Sequence, residues 1–396
     1  MRFDGNWRKW SMLALWSISC LAGLFRFIEK GIYNEASQWD LRSHVKAAAI
    51  LITGDPDPLH DGFAPPYWPP YLPAVMPVLE ALRHLDWDAA RLLWLVLMIL
   101  GLAFAIRLVH QEIALQQEGL PVVESFVIIA AIVFFKGTYL ALAAGQISLL
   151  VIILLIAFTH YHQKQPWLAM ACLAGASIKM NLALPFFVYL GLRAEYRWLA
   201  AVIILTLAVN LAASFFYVGP FEYAPVFWSS LQTLGMQGNN KYWLGGVTGR
   251  VELTPLAAAC GIQGIYLTLL LGLAGVAGFL WLFLRRHKMA APLLLLNLNL
   301  LGFMLFYHRD YDLALLLIMA LPFIWNTWRE WNAVQIIGLL PLVLPLQRLY
   351  QEGMRLFPVV EPAWNIIAAS SVVAVLILFW SLNQYKTGST SDFRAR

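Results

Sequence analysis

The sequence predicts an all-α, polytopic membrane protein, and its composition supports that fold class. The 396-residue chain is 61% hydrophobic and only 12% charged, whereas a soluble domain carries about 25% charged residues. Its mean hydropathy is +0.68. The 17 Trp and 15 Tyr residues suit a protein with many membrane–water interfaces, where amphipathic rings anchor helices. Together with the apolar runs below, these values lead us to expect about 10–12 transmembrane helices.

The apolar runs that could form spans follow one another along most of the chain. A perpendicular transmembrane helix needs about 20 residues, so the shorter runs place helix ends only to within several residues. The first run follows Arg2, Arg8 and Lys9 and lacks a small-residue cleavage site, which predicts a retained signal anchor. The runs cover residues 11–28, 89–109, 122–140, 147–160, 198–217, 261–284, 290–306, 311–327, 333–346 and 363–382.

One further apolar stretch, residues 167–192, is either a single long helix or two short helices hinged between Lys179 and Pro185. The positive-inside rule favours the hinged hairpin, because the basic loops alternate correctly only if this stretch enters the membrane and returns. Both termini are then cytoplasmic. So are the loops at residues 107–118, 160–165, 193–197, 285–288 and 328–330.

We interpret the whole chain, residues 1–396, as a single integral membrane domain with three outward-facing segments. The first, residues 29–88, contains an amphipathic helix near residues 41–52 and a turn-rich stretch. The polar C-terminal tail is predicted to be disordered and cytoplasmic. The other outward segments are residues 218–260 and the sequence "YHRDYD" at 307–312, and the tail is residues 386–396.

Lys179 is the first candidate functional residue, because it is the only formal charge between Lys164 and Arg193. A lysine at mid-bilayer costs about 2.5–3.5 kcal/mol on insertion scales, but the hairpin places Lys179 at an outward-facing turn. Gln146, His308 and the carboxylates of the first loop lie on the same side. A cation at this level suits a phosphate carried on a lipid. Two structural readings stay open: Lys179 snorkels to the interface, or Gln146 only bonds a neighbouring helix.

Other patterns predict no separate chemistry. Asp40 is also a plausible helix N-cap, and the acidic residues of "TGDPDPLHDG" are typical of turns. His160 and His162 have metal-like spacing but no third ligand. The three cysteines have no disulfide or metal pattern, and no basic stripe indicates nucleic acid. A transporter or flippase of a lipid-linked sugar and a non-catalytic scaffold both remain compatible with the apolar pattern.

The chain resembles glycosyltransferase family 87, polytopic enzymes of the GT-C architecture. The resemblance covers most of residues 38–315 and lies in an ordered set of stretches. Where the family usually has Asp before an aromatic-rich stretch and Tyr-Pro-Pro before the second helical segment, this chain has "WDLRSH" and "YWPPY". The matching stretches are "QWDLRSHVKAAAILITGDPDP", "YWPPYLPAVMPVLEAL", "DAARLLWLVL", "AAGQISLLVIILLIAF", "LAGASIKMNLALPFFVYLGLR" and "YHRDYDLALLL".

The resemblance implies an inverting transferase that takes a sugar, a hexose such as mannose, from a polyprenyl-phosphate donor to a glycan or glycolipid acceptor. It implies an active site on the extracytoplasmic face of the cell's inner or plasma membrane, without a metal or other cofactor. Asp40 would be the general base that accepts the acceptor hydroxyl's proton. The residues that would bind the donor phosphate or sugar are Lys179, His308, Arg309, Gln146, Asp312 and Tyr67.

Overall fold

In a computed structural model of the chain, the described residues are 40–45, 72–116, 122–215, 264–306, 310–327 and 373–383, with His308 and scattered single residues. Every regular element in these segments is helical and they contain no strand, which confirms the all-α prediction. Residues 40–45 are helical, and short 3₁₀ turns cover Pro73–Val75, Ser177–Lys179 and Asp310–Asp312. The longer helices are α1 Met76–Arg83, α2 Trp87–Gln116, α3 Val122–Val133, α4 Lys136–Ala144, α5 Ile147–Tyr161, α6 Pro166–Ala176, α7 Met180–Leu192, α8 Tyr196–Phe215, α9 Gly264–Arg285, α10 Ala291–Leu305, α11 Leu313–Thr327 and α12 Val373–Asn383.

Four helical stretches are long and apolar enough to cross a membrane, which supports the polytopic membrane class. Three of them are single helices: most of α2, all of α8 and most of α9. Large apolar side chains on these helices point outward, as expected where lipid rather than water is the solvent. Leu207 and Leu273, for example, are exposed. The predicted runs 11–28 and 333–346 lie outside the continuously described segments.

The fourth apolar stretch, Pro166–Leu192, has the length of one span, yet its two ends meet. His162 Nε2, just before α6, lies 2.7 Å from Glu195 Oε2, just after α7. The rings of Trp167 and Trp198 lie 5.1 Å apart. A straight helix of that length would hold its ends about 40 Å apart. The chain therefore turns back at Ser177–Lys179, in agreement with the predicted hinged hairpin.

The two arms of this hairpin pack mainly against other helices rather than against each other. Helix α6 packs against α5 and α8, whereas α7 packs mainly against α10. The backbone of Lys179 leaves helical geometry, with φ −116° and ψ 85°. Pro185 in the second turn of α7 lacks the N–H that would bond the carbonyl of Asn181, which loosens the start of that helix.

The predicted run 122–140 is not one straight span but the broken pair α3 and α4, with a bend of 48°. Phe135 is extended, with ψ 137°, and starts α4. Helix α4 then packs against the Asp310–Asp312 turn. Gly145 ends α4 in the left-handed conformation, with φ 68°, and its N–H is bonded to the carbonyls of Ala141 and Leu142. The sequence pattern did not predict this bend.

The two ends of the bundle differ in charge. We call the end that carries the Lys179 turn the site end and the opposite end the basic end. Helix α9 runs antiparallel to α10, because a Cβ at Gly278 would meet Leu301 and one at Gly275 would meet Leu305. Gly302 near the end of α10 lies against Pro185 near the start of α7, so α10 ends at the site end. The segment between α9 and α10 therefore lies at the basic end, with the His162–Glu195 contact. The positive residues there are Lys164, Arg193, Arg197, Arg285, Arg286 and Lys288.

Several helices around the site are short. Helices α5 and α10 have 15 residues each, α6 has 11 and α7 has 13. At 1.5 Å per residue they are about 16–23 Å long. Helix α12 contacts α10 through a reciprocal amide pair. Asn383 Nδ2 donates to Asn297 Oδ1 at 2.7 Å, and Asn297 Nδ2 donates to Asn383 Oδ1 at 3.2 Å.

Candidate active site

Lys179 is buried at the centre of a polar cluster at the site end. Its ammonium donates to Ser148 Oγ at 2.7 Å and to Asp312 Oδ1 at 2.6 Å. It also lies 5.1 Å from the ring centre of Tyr311. Ser148 occupies the first turn of α5, so the hairpin turn rests on that helix end. These contacts disfavour the snorkelling alternative, because the ammonium bonds inside the protein.

Asp312 links Lys179 to His308. Its side chain is 1% exposed, and its Oδ2 lies 3.4 Å from His308 Nδ1. Burial would raise the pKa of the Asp312 carboxyl, but the Lys179 ammonium and the His308 hydrogen bond outweigh it and hold the pKa below its ordinary value. Asp312 is therefore ionised at physiological pH.

His308 is fully buried and fixed on several sides. Its ring stacks on Phe303, with centroids 3.9 Å apart and planes 10° from parallel. Asn181 Nδ2 lies 3.5 Å from His308 Nδ1. The other ring nitrogen, Nε2, is buried and has no hydrogen-bond partner among the described residues. A buried polar atom of this kind costs free energy unless a ligand or water satisfies it.

Asp40 is held by Gln146, whose side-chain Nε2 donates to Asp40 Oδ2. Gln146 follows the left-handed Gly145 and precedes α5, so the turn between α4 and α5 aims the amide. His44 lies one helical turn after Asp40. Removal from water and, second, the charge of Lys179 lower the pKa of His44 to about 3, so its imidazole is neutral at physiological pH.

The structure thus brings together five of the predicted site residues at one end of the bundle. Ser148 contacts Lys179 only two residues after Gln146, which connects the Asp40 pair to the lysine cluster. The five residues are Asp40, Gln146, Lys179, His308 and Asp312. The other two predicted residues, Tyr67 and Arg309, lie outside the described residues, as do most of the loops 29–88 and 218–260 and the whole tail 386–396.

The first loop is tied to the hairpin turn and to α8 just before α1 begins. Leu72 N–H donates to the carbonyl of Ile178 at 3.1 Å, and Ala74 N–H donates to Asn210 Oδ1 at 3.1 Å. Ile178 directly precedes Lys179, and Asn210 belongs to α8. The segment of the first loop that precedes α1 is therefore fastened to the hairpin turn.

The sequence reasoning missed residues that support the cluster. Ser148, Asn181 and Phe303 are ordinary helix residues whose pairing depends on the fold. Lys136 carried a usable signal: it is the only formal charge between Glu124 and Lys164. It is 3% exposed at the start of α4, on the helix that packs against Asp310–Asp312.

No group of three or more metal-ligating side chains occurs in the parts of the chain that the structure describes. His162, one of the two histidines with metal-like spacing, instead pairs with Glu195 at the basic end. The positive charge beside Asp312 and His308 comes from Lys179. The site therefore offers a carboxylate, an amide, an ammonium and an imidazole to a ligand.

This combination defines an integral membrane protein whose polar, chemically active side chains are enclosed at one end of an apolar helical bundle. The family model for glycosyltransferase family 87 matches residues 67–307. That is more than half of the chain, and the chain belongs to this family. It is a membrane glycosyltransferase. No curated protein and no solved structure matches it.

Proposed function

We propose that the protein transfers a sugar from a polyprenyl-phosphate donor to a glycan or glycolipid acceptor with inversion at the anomeric carbon. The donor sugar is a hexose such as mannose. The observation that carries this proposal is the convergence of Asp40, Gln146, Lys179 and His308 at one end of the bundle. Asp40 can accept a proton, and Lys179 and His308 can stabilise negative charge.

Lys179 and His308 stabilise the donor phosphate as it leaves the sugar. As the bond between the sugar and the phosphate breaks, negative charge builds on the leaving phosphate oxygen. A fixed ammonium and a ring N–H stabilise that charge best where water is excluded. Lys179 is 9% exposed and His308 is 0% exposed. His308 Nε2, which has no hydrogen-bond partner among the described residues, is the group that would donate to a phosphate oxygen. Arg309 and Tyr67 are further proposed donor contacts.

Asp40 acts on the acceptor as the general base. The acceptor hydroxyl oxygen attacks the anomeric carbon, its proton passes to the Asp40 carboxylate, and the lipid phosphate leaves with the electron pair of the broken bond. General-base catalysis of this kind contributes about 10²–10⁴-fold. Gln146 donates to one carboxylate oxygen of Asp40, which orients the other oxygen toward the substrate.

The charge difference between the two ends supports an extracytoplasmic active site. Lys164, Arg193 and Arg285 belong to segments at the basic end, and short loops rich in Lys and Arg stay in the cytoplasm. The site end then faces the opposite side, in the inner or plasma membrane. A monophosphate donor leaves less negative charge than a diphosphate donor. Lys179 and His308 therefore suffice for it without a divalent metal.

The test is transfer of radiolabel from donors by membranes that contain the full chain. Polyprenyl-phospho-mannose and polyprenyl-phospho-glucose are compared with the corresponding nucleotide sugars, each with and without EDTA. We expect transfer from one of the lipid donors, unchanged by chelation, and none from nucleotide sugars. Transfer from a nucleotide sugar would overturn the donor class. Loss of activity with EDTA, restored by a metal, would indicate a diphosphate-donor mechanism.

A further inference from the structure

Asp312 has a geometry that does not fit direct binding of the donor. Its buried side chain presents Oδ1 to Lys179 Nζ at 2.6 Å and Oδ2 to His308 Nδ1 at 3.4 Å. A carboxylate would also repel a phosphate, since both are negative. We propose that Asp312 is a positioning residue, which orients His308 and Lys179 toward the donor phosphate without touching it. This inference rests on the function proposed above.

The hydrogen bond to Asp312 selects the ring nitrogen of His308 that carries a proton. An ionised carboxylate can only accept hydrogen bonds, so Nδ1 donates to Asp312 Oδ2. The amide of Asn181 near Nδ1 fits this assignment when its oxygen faces the ring, because the oxygen and nitrogen of an amide are interchangeable in position. Nε2 is then the nitrogen left for a ligand, and it is the one without a partner among the described side chains.

Asp312 also stabilises the protonated form of His308 that can donate a hydrogen bond to an anion. With Nδ1–H bonded to the carboxylate, a second proton on Nε2 gives an imidazolium that Asp312 stabilises, as it stabilises the Lys179 ammonium. The Nε2–H then donates to a phosphate oxygen, and a charge-assisted hydrogen bond of this kind is short and strong. Phe303 stacks on the ring at 3.9 Å and keeps it from turning away.

Lys179 is oriented by the same carboxylate from the other side. Ser148 Oγ and Asp312 Oδ1 fix two of the three donor directions of its ammonium. Two further ionisable groups among the described residues, Tyr311 and His44, face Lys179. The Asp312 carboxylate thus fixes the orientation of both Lys179 and His308 at the site end.

A double-mutant cycle on the full chain in membranes tests the proposal. Initial transfer rates and donor KM are measured for wild type, His308→Gln, Asp312→Asn and the double variant. If Asp312 acts through His308 and Lys179, Asp312→Asn lowers kcat at least tenfold in wild type, and the loss beside His308→Gln is at least threefold smaller because only the effect on Lys179 remains. Coupling of this size is expected only for residues that act as a unit. Asn383→Leu removes a distant interhelical amide pair and is expected to keep the wild-type rate.

The outcomes separate the inference from the proposed function. Equal losses from Asp312→Asn in both backgrounds would overturn the positioning of His308 and, with it, the inference, but not the proposed function. A wild-type rate in His308→Gln would overturn the role of His308 and, with it, the inference. If Asp312→Asn does not fold, Lys179→Met with Asp312→Asn removes both charges and is compared with Lys179→Met alone. A further loss of kcat of at least tenfold supports the proposal, and an unchanged kcat overturns it.

Discussion

At the scale of single residues, Asp40 is held by a neutral group. The Gln146 amide orients the Asp40 carboxylate and leaves its negative charge in place, whereas a lysine would cancel that charge. We expect Asp40→Asn to keep the fold and donor binding but to lower the transfer rate at least a hundredfold, because Asn keeps the shape and cannot accept the proton. Helix capping would survive, since Asn and Asp cap about equally well. Single-turnover rates in detergent test this, with the exposed Asp88→Asn at the same end as the matched control. A wild-type rate would exclude Asp40 as the base.

Lys179 is the second residue whose removal should be decisive. Lys179→Met keeps the length of the side chain and removes its charge, so we expect donor affinity or turnover to fall at least tenfold, about 1.4 kcal/mol at 25 °C. The change also leaves the Asp312 carboxylate buried without its cation, and broken pairs of this kind cost about 3–5 kcal/mol of stability. Thermal stability in detergent is therefore measured in parallel. Ser148→Ala, which removes only a hydrogen bond, should lose much less activity. Equal activity in Lys179→Met and wild type would remove the lysine from phosphate binding.

At the scale of elements, the turn between α4 and α5 depends on Gly145. With φ 68°, any residue with a Cβ is strained there, by about 1–2 kcal/mol. We expect Gly145→Ala to lower stability by about that amount and to reduce transfer by displacing Gln146 from Asp40. Gly272→Ala is the control, because a Cβ at that helical glycine meets nothing within 4 Å. The measurement is the melting temperature of the detergent-solubilised protein, together with kcat. A Gly145→Ala variant as stable and active as Gly272→Ala would contradict this account.

The elements also show what a single apolar sequence can predict. The Lys179 hairpin was predictable because loop charge, read by the positive-inside rule, does not depend on packing. The 48° bend between α3 and α4 was not, because the uninterrupted apolar run of residues 126–135 contains no proline or glycine that would mark a break. Nor could the pattern pair Lys179 with Asp312 or Asp40 with Gln146, because the two residues of each pair lie far apart in the chain. Lys136 has the same sequence signal as Lys179: it is the only formal charge between Glu124 and Lys164, and it too is buried.

At the scale of the whole molecule, the two ends of the bundle should face opposite sides of the membrane. In a background without Cys20, Cys172 and Cys260, we introduce Gln163→Cys at the basic end or His84→Cys at the turn between α1 and α2. Both positions are exposed. A membrane-impermeant thiol reagent added to intact cells should label the His84 position and reach the Gln163 position only after the membrane is permeabilised, because basic loops remain inside. Labelling of both positions in intact cells would contradict the proposed topology.

The short helices around the site have a consequence for the surrounding lipid. Helices α5, α6, α7 and α10 are about 16–23 Å long, whereas the hydrocarbon core of a bilayer is about 30 Å thick. This hydrophobic mismatch is relieved when the bilayer thins beside the protein. Thinning would lower the headgroup plane toward the ends of these helices and shorten the distance that a lipid-tethered phosphate must sink. In proteoliposomes of defined acyl-chain length, we therefore expect turnover to be higher in thinner bilayers at equal donor density.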